Sequence, residues 1–297
     1  MVRELRIDVP SVVRELGAAM GVLTEAKIVS RYRKIFKGRG LEFEDFRDYI
    51  STDDAKNIDW KASKRANKLI IRRFKEERDM NVYFMVDVSN SMLFGSTNKL
   101  KYEYAAELAA ALMHFVLESG DKVGLILFNE KVVKFVKPKK GEKHFYIMLN
   151  HLITPDYYGG SYNITSLMEF MEGVVKERSL GFLISDFIGL ERDWQKSIQL
   201  ISGKLDGIAV MVRDPRDLAL PTDTGQIVIS DPYSTRKLLI DCNDSARYEY
   251  ELYVKSEIDK IKMGLKLGLW DMLMINTAEP FILPVIRFLK RREILFR

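Results

Sequence analysis

Cysteine is almost absent: the 297 residues contain one, Cys242. A lone thiol forms no internal disulfide, which fits a reducing compartment. Cys242 lies between Asp241 and Asn243, with no histidine or basic neighbour in sequence to favour a catalytic thiolate. Histidine is nearly as scarce, at three. His114 falls within a predicted long helix. His144 and His151 are seven apart on one face of another, and neither has a nucleophile or ligand partner in the sequence. All three read as packing residues rather than catalytic ones. No apolar run approaches the roughly 18 residues of a membrane-spanning helix. The opening Met1-Val2-Arg3-Glu4-Leu5 lacks the apolar centre of a secretory signal, so the expectation is a soluble, cytoplasmic protein. G-x-S-x-G elbows, P-loops and G-x-G-x-x-G turns are missing, which removes the commonest hydrolase and nucleotide-binding classes. The aromatic-stacking motifs of nucleic-acid modules are missing too.

What is present is an ordinary globular balance, 47% hydrophobic and 30% charged, long enough for one large domain and a smaller one. The net charge of +5 is a small excess of 47 basic over 42 acidic residues. Basic residues nevertheless cluster, from Arg31 to Arg39 and again at Lys61, Lys64, Arg65, Lys68, Arg72 and Arg73. A nucleic-acid footprint is one reading. A solvated face paired with Glu42, Glu44, Asp45 and Asp48 is the favoured one, and no nucleic-acid partner is expected.

Residues 1–26 read as a helical segment and 27–50 as mostly extended. Thr52-Asp53-Asp54 is read as an N-cap region ahead of a helix over 55–65, and Leu69 begins a strand to about Lys75. From Asp79 onward strands and helices alternate. The apolar runs Val82–Val86, Val123–Phe128, Leu180–Ser185 and Gly207–Val212 suit strands covered on both faces. Helices are predicted over 99–118, 142–152, 164–178 and 192–202. This order predicts an α/β fold with a doubly wound, mostly parallel sheet. Pro215, Pro221, Gly225 and Pro232 interrupt the rhythm around two short strands, 226–230 and 237–240. A helix over 245–267, a strand over 269–275 and a helix over 279–292 restore it. The division read from this pattern is an N-terminal helical segment (1–26), a basic subdomain (27–79) and a large α/β domain (80–297) with a short β-rich insertion at about 213–243.

The chemistry-bearing element is Asp87-Val88-Ser89-Asn90-Ser91-Met92, at the C-terminal end of a predicted central strand, where ligand sites of open α/β sheets form. A carboxylate and two hydroxyls at i, i+2 and i+4 offer three oxygen ligands on one loop. Such ligands suit a hard cation, Mg²⁺ foremost, with Mn²⁺ or Ca²⁺ as variants. Two neutral hydroxyls leave the ion with residual positive charge, which attracts an outside carboxylate. Asp186, ending a strand of similar length and apolarity, is placed to add a second carboxylate. Gly159-Gly160-Ser161 would bring in a third loop. The competing reading is a helix cap or Asx-turn without metal.

This pattern, D-x-S-x-S with a downstream threonine and aspartate, resembles the metal-ion-dependent adhesion site (MIDAS) of von Willebrand factor A domains. Asp87, Ser89, Ser91 and Asp186 match residue by residue. The threonine has no clean counterpart; Ser161 is the best substitute and Thr165 the next. Further segments are similar to the signature of the prokaryotic family called domain of unknown function fifty-eight. They are Gly38-Arg39-Gly40-Leu41-Glu42-Phe43, Arg47-Asp48-Tyr49, Asp54 to Trp60 with Ser63 and Arg65, Leu180 to Phe187, and Arg213-Asp214-Pro215-Arg216-Asp217. That resemblance implies a von Willebrand A-like domain preceded by a basic, Arg/Asp/Trp-rich segment. It also implies a partner among MoxR-type AAA+ ATPases or their clients, beside which family members are often encoded. Arg47, Asp59, Trp60 and Arg65 are expected to form a buried ion-pair network between subdomains or, alternatively, a partner-docking surface. The functional expectation is a non-enzymatic, metal-dependent interaction module that binds a partner's Asp or Glu. The alternative is a metal-dependent, phosphoryl-directed hydrolase at Asp87 and Asp186. The interaction module is favoured because no general base or nucleophile accompanies the ligands in sequence.

Overall fold

The computed structural model describes residues 42–50, 58–75, 79–222 and 224–295. The helix expected over 1–26, the extended stretch before residue 42 and the N-cap at Thr52-Asp53-Asp54 lie outside them. Strand β1 (Glu42–Asp48) pairs antiparallel with β2 (Ile70–Lys75). Helix α1 (Trp60–Ala66) lies between them in sequence and packs on β2, where the Ser63 hydroxyl takes the Ile70 amide at 2.8 Å. The helix expected over 55–65 is therefore shorter. Ile58 bridges Ile71 and the Asp59 amide donates to the Ile70 carbonyl, so residues 58 and 59 are paired with β2 and not helical. Asp59 is the N-cap, its carboxylate accepting from the Lys61 and Ala62 amides at 3.0 Å. Lys68 and Asp48 pair at 2.7 Å on the surface, the kind of pairing expected for the basic run.

The main body follows. Strand β3 (Asn81–Asp87) leads through a 3₁₀ turn (Asn90–Leu93) to α2 (Lys101–Glu118), β4 (Lys122–Phe128), β5 (Val132–Lys139) and α3 (Glu142–Leu152). Then come α4 (Ile164–Val174), β6 (Ser179–Ser185), α5 (Trp194–Ile201), β7 (Leu205–Arg213) and the short α6 (Pro215–Leu218). A separate antiparallel hairpin, β8 (Gln226–Ser230) and β9 (Lys237–Asp241), precedes α7 (Asp244–Leu267), β10 (Asp271–Asn276) and α8 (Ile282–Leu295). Six strands form the central sheet in the order β10-β7-β6-β3-β4-β5, all parallel except β5. The doubly wound, mostly parallel sheet expected from the sequence is the one observed.

Alternation along each strand divides the core. Val82, Phe84 and Val86 face a layer with Leu125, Phe182 and Val210, covered by α2, α3 and α8. Tyr83 and Met85 face the other side with Ile126, Leu183 and Met211, covered by α4, α5 and α7. Successive strand residues point to opposite faces, so a strand buried on both must be apolar throughout. Phe84 stacks on Phe182 with ring centroids 4.9 Å apart. Full burial of a side chain of this size contributes roughly 1.5–3 kcal/mol. Alanines 105, 106, 109, 110 and 111 are buried on α2, and their small side chains let it lie close against β3. On the other face the Trp270 indole lies directly over Gly207, occupying the space a Cβ there would need.

Several boundaries differ from expectation. Helix α4 stops at Val174 rather than 178, because Val175 turns extended and buries its side chain. Leu269, expected to open a strand, has φ 58° and closes α7 with Gly268, so β10 begins at Asp271. Helix α8 begins at Ile282 rather than 279. Among the described residues no helix is long and apolar enough to cross a membrane.

Candidate functional site

Strands β3 and β6 are neighbours, and the chain leaves them in opposite directions, to β4 on one side and β7 on the other. The crevice at their C-terminal ends is thus the switch point of the sheet, the place where ligands of such folds bind. Asp87 ends β3 there, and Asp186 follows the last residue of β6. Both are fully buried, as is Ser89, and Ser91 is nearly so.

Each group is held by named partners. Asp87 Oδ1 accepts the Ser89 amide at 2.8 Å, and its Oδ2 accepts the Ser185 hydroxyl at 2.7 Å. Ser91 Oγ donates to Asp186 Oδ1 at 3.0 Å and lies 3.3 Å from Ser89 Oγ. Asp186 is aimed by a strained turn: Phe187 has φ 56°, uncommon for a bulky residue, and Asp186 Oδ1 accepts the Ile188 amide at 2.9 Å.

The charge on Asp186 is met by a residue the sequence did not single out. Lys101, in the first turn of α2 and 1% exposed, places Nζ 2.6 Å from Asp186 Oδ2 and 2.8 Å from Asp217 Oδ2. Burial alone would lower its pKa, but the Asp186 and Asp217 carboxylates outweigh that and raise it. Asp217 belongs to Arg213-Asp214-Pro215-Arg216-Asp217, whose role is thereby explained. Asp214 caps α6, accepts the Ser96 amide at 2.7 Å and the Thr277 hydroxyl at 3.3 Å, while Asp217 holds the lysine.

Asp87 has no such ammonium. Burial, then the neighbouring Asp186 charge, pushes its pKa up to about 7 against the pull of the Ser185 and Ser89 bonds. The Tyr162 hydroxyl is buried beside Ser185, close enough to feel both carboxylates. Two adjacent buried carboxylates and two hydroxyls make an oxygen donor set of the kind a hard divalent cation takes, with the Lys101 ammonium holding Asp186 in place. The set needs its hydroxyls. Among the described residues, no three His, Cys, Asp or Glu side chains come together as a metal cage.

Of the five residues expected to surround a cation, Asp87, Ser89, Ser91 and Asp186 converge and Ser161 does not. Its side chain is exposed and its amide faces the Glu130 carboxylate at 3.4 Å. Thr165 turns to α5, accepting from the Ser197 hydroxyl at 3.3 Å. The glycines before Ser161 brace the motif loop instead of approaching an ion. With φ of 101° and 87°, Gly159 donates to the Val88 carbonyl and Gly160 accepts the Asn90 amide.

The second expected group is likewise rearranged. Trp60 is 69% exposed and Arg65 is exposed, so these two lie on the surface and not in a buried network, and the Asp59 carboxylate caps α1. Arg47 donates to the neighbouring Asp48 carbonyl at 3.3 Å. The histidines are packing residues: His144 Nε2 meets the Val123 carbonyl at 2.8 Å, at the N-terminal end of β4 and so at the other end of the strands from the cluster, and His114 lies against Phe145.

Sequence reasoning also missed Ser185 and Tyr233. Ser185 is one apolar-strand residue among many. The Tyr233 hydroxyl reaches Ser89 Oγ at 3.1 Å and Ser91 Oγ at 2.9 Å from more than 140 residues away in sequence. No local signal marks it.

An uncharacterised protein of Mycobacterium tuberculosis is 24% identical over 263 residues, covering 87% of this chain and 82% of its own length. The uncharacterised protein YeaD of Bacillus subtilis is 30% identical over 107 residues, 36% of this chain and 24% of that protein. Among solved structures, BatB from Bacteroides thetaiotaomicron aligns over 73% of this chain and 99% of its own at 14% identity and TM-score 0.44. A von Willebrand factor type A protein from Catenulispora acidiphila aligns over 73% of this chain and 43% of its own at 10% identity and TM-score 0.39. The profile of the family described as protein of unknown function DUF58 matches residues 45–259, most of the chain, which therefore belongs to the DUF58 family.

Proposed function

We propose that this chain is a protein-interaction module in which Asp87, Ser89, Ser91 and Asp186 hold a divalent cation, Mg²⁺ foremost, for a partner's Asp or Glu side chain. When bound, the cation supplies a positive centre that the outside carboxylate can ligate. The protein's own residues fix the donors. Ser185 and the Ser89 amide orient Asp87, and Lys101 with the Phe187 turn orients Asp186. The observation that carries the reading is the buried Asp87–Asp186 pair at the sheet's switch point, with burial and then the Asp186 charge pushing Asp87 up to about 7. A cation removes that cost and leaves residual charge pointing outward. Lys101 is locked between two carboxylates and is not available as a base, which favours binding over hydrolysis. The partner we propose, on the family resemblance, is a MoxR-type AAA+ ATPase or its client.

The test compares wild type with Asp87→Ala in a pull-down of the candidate ATPase with Mg²⁺ and with chelator, alongside phosphatase turnover. Binding that needs both Mg²⁺ and Asp87, with no turnover, is the expected result. Turnover lost in the variant while partner binding persists would overturn the reading in favour of the hydrolase.

A further inference from the structure

The hairpin β8–β9 stands apart from the central sheet, yet its turn is aimed at the cluster. Asp231 shapes that turn, its carboxylate accepting the Tyr233 amide at 2.9 Å and the Ser234 hydroxyl at 2.7 Å while its own amide donates to the Arg236 carbonyl at 3.0 Å. The Pro232 carbonyl accepts Asn90 Nδ2 at 3.2 Å, fastening the turn to the motif loop. The Tyr233 ring then lies on Gly189, where a Cβ would meet a ring carbon at 2.5 Å; Gly189 also has φ +90°. A side chain at 189 would push the ring away.

Oη lies 3.1 Å from Ser89 Oγ, 2.9 Å from Ser91 Oγ and 3.0 Å from the Ile188 carbonyl, and it has one proton to give. Ser91 already gives its own proton to Asp186. Whether the phenol's proton goes to the Ile188 carbonyl or to Ser91, its oxygen stands within hydrogen-bond distance of both serine hydroxyls, in the place that a cation shared by them would need. The hairpin itself is weakly held. Val228, Leu238 and Leu239 are each about three-fifths exposed, and a two-stranded ribbon on its own is marginally stable. Lifting its turn therefore costs mainly the bonds Tyr233 and Asn90 make and the packing of the Tyr233 ring.

We propose that Tyr233 is a built-in gate: its hydroxyl occupies the Ser89–Ser91 oxygens, and the 226–241 hairpin must withdraw it before a cation and an outside ligand share them. This rests on the reading of the cluster as a cation site. It makes the closed chain a poor metal binder and the open one a good one. A partner that grips the hairpin would then raise cation affinity.

Tyr233→Phe in the full chain tests this, since it keeps the ring on Gly189 and deletes the hydroxyl. Mn²⁺ is the probe, its free concentration read by electron paramagnetic resonance, with Asp87→Ala as the control. The expected result is at least about tenfold tighter Mn²⁺ binding by Tyr233→Phe than by wild type. Faster hydrogen exchange across 226–241 when wild type is saturated is expected as well. Binding by the variant alone supports both gate and cation site. Wild-type binding that Asp87→Ala abolishes but Tyr233→Phe leaves equal or weakens overturns the gate and spares the cation site. No binding to either protein at millimolar Mn²⁺ overturns both. An unchanged melting temperature for Tyr233→Phe verifies that the comparison is between folded proteins.

Discussion

In Asp87→Asn a buried carboxylate becomes a neutral amide of the same shape, and the consequence for stability can be worked from the site. Folding raises the Asp87 pKa from 3.8 to about 7. A folded value above the unfolded one means that protonation favours the folded state. The cost of burying the charge is absent below about pH 4, grows through the interval, and is complete above about pH 7. Three units at ~1.4 kcal/mol each come to about 4 kcal/mol. The bonds from the Ser185 hydroxyl and the Ser89 amide, which pull the other way, are already contained in that shift. The variant should therefore be more stable than wild type by up to about 4 kcal/mol at pH 8 in chelator, a rise on the order of 10 °C in Tm for a protein of this size. The gap should close as pH falls to 4. Mg²⁺ should raise the wild-type Tm and leave the variant where it is. Thermal melts at pH 4, 6 and 8, with chelator and with Mg²⁺, check all three. A variant less stable than wild type at pH 8 in chelator, or a gap independent of pH, would refute the reasoning.

Lys101→Met leaves Asp186 buried without its ammonium and should cost about 3–5 kcal/mol in urea unfolding; a loss under 1 kcal/mol would show that the pair carries little. Gly207→Ala drives a methyl into the Trp270 indole and should destabilise by about 1–3 kcal/mol or more, with a blue or red shift in tryptophan emission as the ring moves. Trp60→Ala, at a side chain 69% exposed, should leave stability within about 0.5 kcal/mol. A loss of 3 kcal/mol in urea would instead place Trp60 in a packed interface.

What could be read in advance was what local pattern encodes. The apolar runs 82–86 and 180–185 announced buried parallel strands, because a strand covered on both faces must be apolar at every position. Asp87 and Asp186 were legible as the polar residues that end those runs. Ser161 was misread because its Gly-Gly context signals a turn without saying which way the side chain after it points. Lys101 was invisible for a different reason. It is one of 47 basic residues, and its burial follows only from Asp186 and Asp217 arriving from distant strand ends. The Asp59–Trp60 segment was recognised as distinctive but assigned to the interior. The bridge from Ile58 to Ile71 instead delays the helix and turns Asp59 into a cap.

The strand order β10-β7-β6-β3-β4-β5 has a consequence for how the chain is made. Read by order of synthesis, β3 comes first in this sheet, β4 and β5 add on one side, and β6, β7 and β10 add in turn on the other. Each new strand meets an existing edge, and none has to be inserted between strands already paired. A chain emerging N-terminus first can therefore extend the sheet outward as it appears. Asp87 waits at the edge until β6 delivers Asp186, then the loop after β7 brings Asp217 to Lys101, and the hairpin carrying Tyr233 arrives after both. The cluster is thus assembled before it is covered, and a truncated chain ending before residue 226 would carry it uncovered.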